Sequence, residues 1–591
     1  MNQNLLLSNA INLYAAGQLD EAEKAFRQVL NLSPALPQAL YFLGLIALSK
    51  GIFDEACQLL YQSTLADPKN KDFQYSLAVA LQESGKLNEA LAIYEKIADM
   101  PESQNNMGNI YRQMGQLDKS RTAFDKAIQI NPDMVLAYVN KALLERQQNN
   151  LNQAENLLAE ALKIDPNSVQ ALYQTSVQNR LNNNINSSLQ YIEKAIKIAN
   201  NVDFLFVEYG KVLNLLGQKN DALAAFEKAI AVNRFCTDAY FEKAMLLENE
   251  NPDLAEQAYR DVLRTDVNNV AAYNNLGALL YRQNRVMEAL EMYRNVFIID
   301  PTDTKAAFNL AIALEDLGNF EEAAGLYFKV LGQKQLQSII LLRLANMLPK
   351  WFETDPKTAL LYASGWVKNF PDNPLAIHTN NALNGQSSGT DIDFAYTQTF
   401  YDAFADTYDE KMQILNCQIP QLIAQKTAGK TFENVLDLGC GTGLSGALLR
   451  TGSKHLTGVD MSQKMIQKAE KKHIYDALFT MDILDYLQNV SQAFDLIVAA
   501  DVFCYINKLD DIIKEVHKYL TSRGTFIFTV EKAPNPDQIT LQPNGRYQHG
   551  FNIINLALKN AGFDEITAQE VTLRQENKAP CQGYLFMAQK A

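Results

Sequence analysis

One seven-residue stretch concentrates residue types that can do chemistry: Asp437-Leu438-Gly439-Cys440-Gly441-Thr442-Gly443. Glycines at alternate positions let the backbone approach a ligand with no Cβ atoms in the way. Seventeen residues after Gly443 stands Asp460, closing an apolar run where a carboxylate can accept hydrogen bonds from a ribose diol. Together these describe a site for a nucleotide-like ligand, although the glycines alone also fit a tight turn that holds nothing. The third glycine falls one residue too early for the G-x-G-x-x-G turn of hydride-transferring enzymes. Further on, His549 ends the string Gly545-Arg546-Tyr547-Gln548-His549 after the fifth apolar run. It is a candidate for acid–base or acceptor contact, or else a solvated loop histidine opening the next helix. Tyr505 is a second candidate, with a core aromatic at a strand end as the alternative. His378, His455, His473 and His517 are dispersed and offer no metal-ligand spacing, so no metal is expected.

Short apolar runs must position these groups. They lie at 434–438, 456–459, 477–480, 494–500 and 524–530, separated by amphipathic segments such as 462–472, with Ser462 as its cap, and 508–520. A helix at about 551–561 and two late strands complete the pattern, which is that of a βαβ sheet.

The ordered series V-L-D-L-G-C-G-T-G, G-V-D-M-S, M-D-I-L and F-D-L-I-V-A-A-D-V-F-C-Y resembles the class I S-adenosylmethionine-dependent methyltransferases over residues 395–591. The resemblance implies a Rossmann-like doubly wound domain and S-adenosylmethionine as cofactor. It assigns Asp437 to the methionine amino group and Gly439, Gly441 and Gly443 to the loop beneath the cofactor. Asp460 would hold the ribose hydroxyls, Met461 would flank the adenine, and Asp482 beside Ile483 would take the adenine amino group. Ala500 and Asp501 would border the place where cofactor and acceptor meet. The segment FYDAFADTYDEKM (400–412) is similar to the lid helix of small-molecule methyltransferases and of bacterial methyltransferases with an N-terminal repeat arm. Tyr401, Phe404 and Tyr408 either close over the cofactor or form the buried stripe of a docked helix, since their spacing satisfies both. The Asp/Asn-Pro-Pro-Tyr motif of amide and adenine methylases is absent: Ala500-Asp501-Val502-Phe503 stands there.

The first 373 residues repeat one unit. GQLDEAEKAF (17–26), GQLDKSRTAF (115–124), GQKNDALAAF (217–226) and GNFEEAAGLY (318–327) share a glycine turn, a small residue and an aromatic. The small residues run from Ala22, Ala56 and Ala90 to Ala323 and Ala359, mostly 34 apart, and a proline commonly lies twelve residues on. This describes a helix–turn–helix unit in which a small residue admits close approach and proline ends the second helix. The pattern resembles the tetratricopeptide repeat, in about eleven copies over 3–373, the last divergent and capping. Such units stack into an all-α superhelix with a concave groove, and the resemblance implies a protein or peptide partner there. Asn106, Asn140, Asn275 and Asn309 share one position of the first helix, so they either form an amide ladder for an extended polypeptide or are merely tolerated. A turn-rich linker is expected at 374–394.

The formal charge of −14 argues against nucleic acid as the main partner. Six scattered cysteines fit a reducing compartment, and no signal peptide or membrane span is evident, so a cytoplasmic location is expected. The expected function is methylation of a protein or peptide recruited by the arm. The alternatives are a small or carrier-tethered acceptor, or an interaction scaffold whose methyltransferase-like domain senses cofactor or is inactive.

Overall fold

A computed structural model describes residues 3–576 and 579–591. The chain forms two compact units, Met1–Ala272 and Tyr273–Ala591.

The first unit is a run of antiparallel helix pairs, from Gln3–Ala15 with Leu19–Leu32 to Thr237–Leu247 with Pro252–Thr265. Three further pairs follow: Val270–Arg282 with Val286–Ile299, Thr304–Asp316 with Phe320–Val330, and Gln337–Thr354 with Pro356–Asn369. All the small residues at the repeated second-helix position are fully buried, Ala22, Ser120, Ala222 and Ala359 among them. The reciprocal contact is as tight. A Cβ on Gly108 would lie 2.5 Å from the Phe124 ring, and one on Gly210 would lie 2.4 Å from Phe226. The turn within most pairs uses a left-handed residue: Gly17 and Gly115 supply it at φ 75° and 73°, while Asn149 and Asn183 replace glycine at 63° and 60°. Second helices end two residues before Pro34, Pro132 and Pro301, as the sequence predicts.

The segment expected as a linker is instead largely helical. Pro374–Leu383 is a helix with Leu375 and His378 buried, and Thr390–Phe404 is another with Asp393 buried, leaving only 384–389 between them. Turn-forming residues at 385–393 mark the junction of two packed helices, with Asn373 capping the first through Ala376 N.

The sheet carries strands β1 Phe432–Leu438, β2 Ser453–Asp460, β3 Ala477–Thr480, β4 Phe494–Ala499, β5 Leu520–Lys532, β6 Ile539–Leu541, β7 Tyr547–His549, β8 Phe563–Glu576 and β9 Ala579–Lys590. Its order is β3-β2-β1-β4-β5, all parallel, extended by β7 and β6, while the antiparallel β9 pairs with β5 and β8. The central strands are apolar on both faces because helices cover both. Leu436, Ile497, Phe526 and Phe528 pack toward the helices Ile483–Asn489, Asp510–Tyr519 and Phe551–Ala561. Val435, Leu496, Val498 and Ile527 pack toward Ile419–Thr427 and Leu444–Leu449. This is the doubly wound α/β domain expected behind an all-α arm. Its strand order reverses between β1 and β4, where such sheets open a crevice at their carboxyl ends.

Candidate functional site

A cavity of about 400 Å³ opens at that crevice. Gly439 and Gly441 follow β1, Asp460 ends β2, Asp482 follows β3, and Ala500 and Asp501 follow β4; all six line the cavity with Met461, Ile483, Tyr401, Tyr408 and Tyr505. Sequence positions more than 100 residues apart thus converge, because the carboxyl ends of parallel strands share one edge.

The glycine loop is built for close approach. Gly439 has φ 67°, and a Cβ there would lie 2.4 Å from Val502 Cγ2, so that position admits only glycine. Gly443 does not line the cavity. At φ 89° it precedes the helix Leu444–Leu449, and a Cβ would press on Ile474 at 3.0 Å and Tyr475 at 3.1 Å, so its role is packing behind the loop.

Three carboxylates carry the electrostatics. Asp437 is fully buried below the loop and, like Gly443, is not itself part of the cavity lining; its Oδ2 accepts from the Tyr475 hydroxyl at 2.7 Å, while Oδ1 has no partner among the described residues. Burial, opposed by the tyrosine bond, pushes its pKa up to about 7. Asp460 accepts from Gly441 N at 2.9 Å and Ser462 N at 2.8 Å, tying the two loops together, and burial raises it to about 6. Asp482 caps the helix Ile483–Asn489, with Oδ1 accepting from Leu484 N at 2.7 Å.

The helix Thr390–Phe404 lies over the cavity and is latched to it. Gln398 donates to the Met461 carbonyl at 3.1 Å, and Ser462 donates to Asp402 at 2.6 Å. Beyond that helix, Asp409 accepts from Thr442 and from Lys472. Tyr401 meets Tyr505 edge-on at 5.3 Å and Tyr408 at 6.0 Å, and burial holds all three hydroxyls protonated. The two readings of this aromatic stripe are therefore joined: the rings pack together and also form the cavity wall. Tyr505, expected more as a core aromatic, also lines the cavity.

His549 requires a correction. It is fully buried at the end of β7, outside the cavity lining, and Nε2 donates to the carbonyls of Ile506 at 3.0 Å and Asn507 at 3.3 Å. Burial lowers its pKa to about 4, so it is a neutral donor holding the loop that carries Asn507 to the cavity, not an acceptor contact.

Sequence reasoning missed the ionic cluster behind Asp501. Arg574 on β8, 1% exposed, bonds Asp501 at 2.7 Å, Glu576 at 2.6 Å and Glu531; Arg546 bonds Glu576 at 2.5 Å. Asp501 sits at φ 58°, a strained conformation for a non-glycine residue, and this cluster fixes it against the cavity.

In the arm, the asparagine positions are partly committed to internal bonds. Asn106 donates to the Tyr75 and Tyr94 hydroxyls at 3.1 and 3.0 Å, and Asn140 donates to Asn105 at 2.9 Å. Asn275 also has a partner, and Asn309 is half-buried at the equivalent position in the second unit.

The fold and site thus define a helical repeat arm followed by a doubly wound α/β domain with a glycine loop at its switch point. Comparison with known families makes this specific. Residues 430–547 match the methyltransferase domain, and residues 7–67, 99–167, 216–266, 246–304 and 279–335 match the tetratricopeptide repeat. The chain thus carries tetratricopeptide repeats followed by a methyltransferase domain. It is 30% identical over 135 residues to a malonyl-[acyl-carrier protein] O-methyltransferase of Priestia megaterium, covering 22% of this chain and 48% of that one. It is 29% identical over 143 residues to a Haemophilus influenzae protein, covering 22% and 56%. The chain thus spans about half the length of these relatives. Among solved structures, YrrB, described as a tetratricopeptide protein with an unusual peptide-binding site, shares 29% identity over 31% of this chain and 95% of its own, at a TM-score of 0.25. Among the described residues no helix is long and apolar enough to cross a membrane.

Proposed function

We propose that the chain is an S-adenosylmethionine-dependent methyltransferase whose repeat arm recruits a protein or peptide that is, or carries, the methyl acceptor. The observation that carries this reading is the buried Asp437 Oδ1, a carboxylate oxygen without a partner beneath a glycine loop, which suits the ammonium of a methionine moiety. Asp460 suits a ribose diol, Asp482 and Ile483 suit an adenine edge and face, and the rings of Tyr401, Tyr408 and Tyr505 suit a cationic sulfonium. S-adenosylmethionine, when bound, supplies an already activated methyl group. This chain's own work is then to orient, to exclude water with the helix Thr390–Phe404, and to hold Asp501 and the Tyr505 hydroxyl at the acceptor side.

A second reading, methylation of an acid tethered to a carrier protein, is favoured by the likeness to the malonyl-[acyl-carrier protein] O-methyltransferase of Priestia and by Lys508 and Asn507 at the cavity. A carboxylate acceptor needs no proton removed, and among the described residues no histidine lines this cavity.

Calorimetric titration with S-adenosylmethionine tests the shared core of both readings. Micromolar binding that Asp460→Ala abolishes is expected. Absence of binding by the intact protein refutes the enzyme reading and leaves the arm as the function.

A further inference from the structure

Arg112, Arg146 and Arg180 are spaced 34 residues apart, one in the last turn of each of the helices Pro101–Gln113, Val135–Gln147 and Val169–Leu181. These first helices of successive repeats pack on one another, so the three arginines form a column along the inner wall of the first unit.

The column is short of counter-charge. Arg180 is neutralised by Glu208 at 2.7 and 3.1 Å. Arg146 has one hydrogen bond, to the neutral Gln174 at 2.9 Å, and no ion pair. Arg112 has no ion pair among the described residues, and its Nε is buried without a partner. One turn earlier on that helix, Asn109 holds a buried Oδ1 that also lacks a partner. Of the other arginines in this unit, Arg27, Arg121, Arg260 and Arg264 each bond a carboxylate and Arg234 lies over the Phe235 ring. Two adjacent guanidiniums with no bonded carboxylate among the described residues are therefore an exception in a chain whose formal charge is −14. Arg146 is held below the usual arginine range by burial, which Tyr173 and Glu208 oppose and to which Arg180 and Arg112 add. Bringing like charges together on a half-buried wall costs stability unless an anion joins them.

We infer that this column is a docking site for an extended polypeptide segment rich in Asp and Glu, its carboxylates seated on Arg112 and Arg146 and a backbone N–H donating to Asn109. Guanidinium forks bind carboxylates bidentately, and an extended chain presents side chains of one face at every second residue. The inference rests on the reading that the arm recruits a polypeptide, and it names the chemistry of that partner.

The test is fluorescence anisotropy of the full chain with a labelled twelve-residue peptide carrying Glu at alternate positions, its Gln counterpart, and an oligonucleotide of equal charge. The Glu peptide should bind at least tenfold tighter than the Gln peptide, with affinity falling as salt rises. Arg112→Gln and Arg146→Gln should each lose about tenfold, and Arg146→Lys less. Equal binding of the two peptides by the wild-type chain, or tighter binding of the oligonucleotide than of the Glu peptide, overturns the inference, and neither result depends on a variant's folding. Asp460→Ala should leave peptide binding unchanged, so failure of the arm site and failure of the cofactor site read out separately.

Discussion

The orphaned carboxylate of Asp437 makes cofactor affinity depend on pH in a direction that can be worked out. In the free protein burial raises its pKa to about 7, so near pH 6 most molecules carry a neutral, protonated Asp437. A cationic ligand binds only the ionised form, and its apparent affinity scales with the ionised fraction. That fraction rises from about one tenth at pH 6 to about three quarters at pH 7.5, so Kd should fall about eightfold. Asp460, raised to about 6, adds about a further twofold over the same interval. The product corresponds to about 1.6 kcal/mol. Stopping at pH 7.5 limits loss of the ligand's own α-amino proton, which ionises near 8, to about a quarter.

The sign for stability is opposite. Between the unfolded carboxyl value near 4 and the folded value of about 7, the native state binds the extra proton, so free-protein stability should fall as pH rises. Titration calorimetry at pH 6.0 and 7.5, in two buffers of different ionisation enthalpy, measures both affinity and proton release. Close to one proton should leave per ligand at pH 6 on account of Asp437. Asp437→Asn should bind more weakly and retain only the twofold dependence of Asp460. A Kd constant within twofold across the interval, with no buffer-dependent enthalpy, refutes the assignment.

Three further perturbations follow from the packing. Arg574→Met leaves Asp501, Glu531 and Glu576 facing one another in a buried setting and should cost about 3–5 kcal/mol in urea denaturation, with Glu531→Gln partly restoring it. His549→Ala strands two carbonyls and should cost about 1–3 kcal/mol while leaving S-adenosylmethionine affinity within twofold of wild type. Because the folded imidazole is held near 4, the stability that wild type loses as pH falls from about 6.5 toward 4 should be smaller in that variant by about 1.4 kcal/mol per pH unit. Gly108→Ala drives a methyl against Phe124 and should lower stability by about 1–3 kcal/mol by thermal melting, without changing cofactor affinity.

The parts of the fold legible in sequence are those set by short-range rules. The apolar runs at 434–438 and 456–459 fall inside β1 and β2, because buried parallel strands need continuous apolar residues between turns. The repeat was legible because each copy must present the same small residue to the same neighbouring helix. His549 was misplaced for lack of one fact, the pairing of β7 with β5 and β6, which turns an apparent loop into a buried strand.

Arg574 shows why the ionic cluster was hidden. Strict alternation along β8 would send Arg574 to the face opposite Leu573. The register slips between Thr572 and Arg574, however, so that two residues of β8 face one of β9 and both side chains are buried. Its partners Asp501 and Glu531 lie 73 and 43 residues away in sequence and meet it only because β9 inserts between β5 and β8. Arg574 is the one cation in a strand that also carries Asp564, Glu565, Glu570 and Glu576, so its type alone did not mark it as buried, and the bulge could not be read from sequence. The same geometry explains where function concentrates. The bulge brings a cation to the carboxyl end of β4, that cation holds Asp501 in a backbone conformation it would otherwise leave, and Asp501 forms part of the cavity wall beside Tyr505. On the proposed reading the cluster contributes to orientation at the acceptor side, and its loss should disturb acceptor placement before it disturbs the glycine loop on β1.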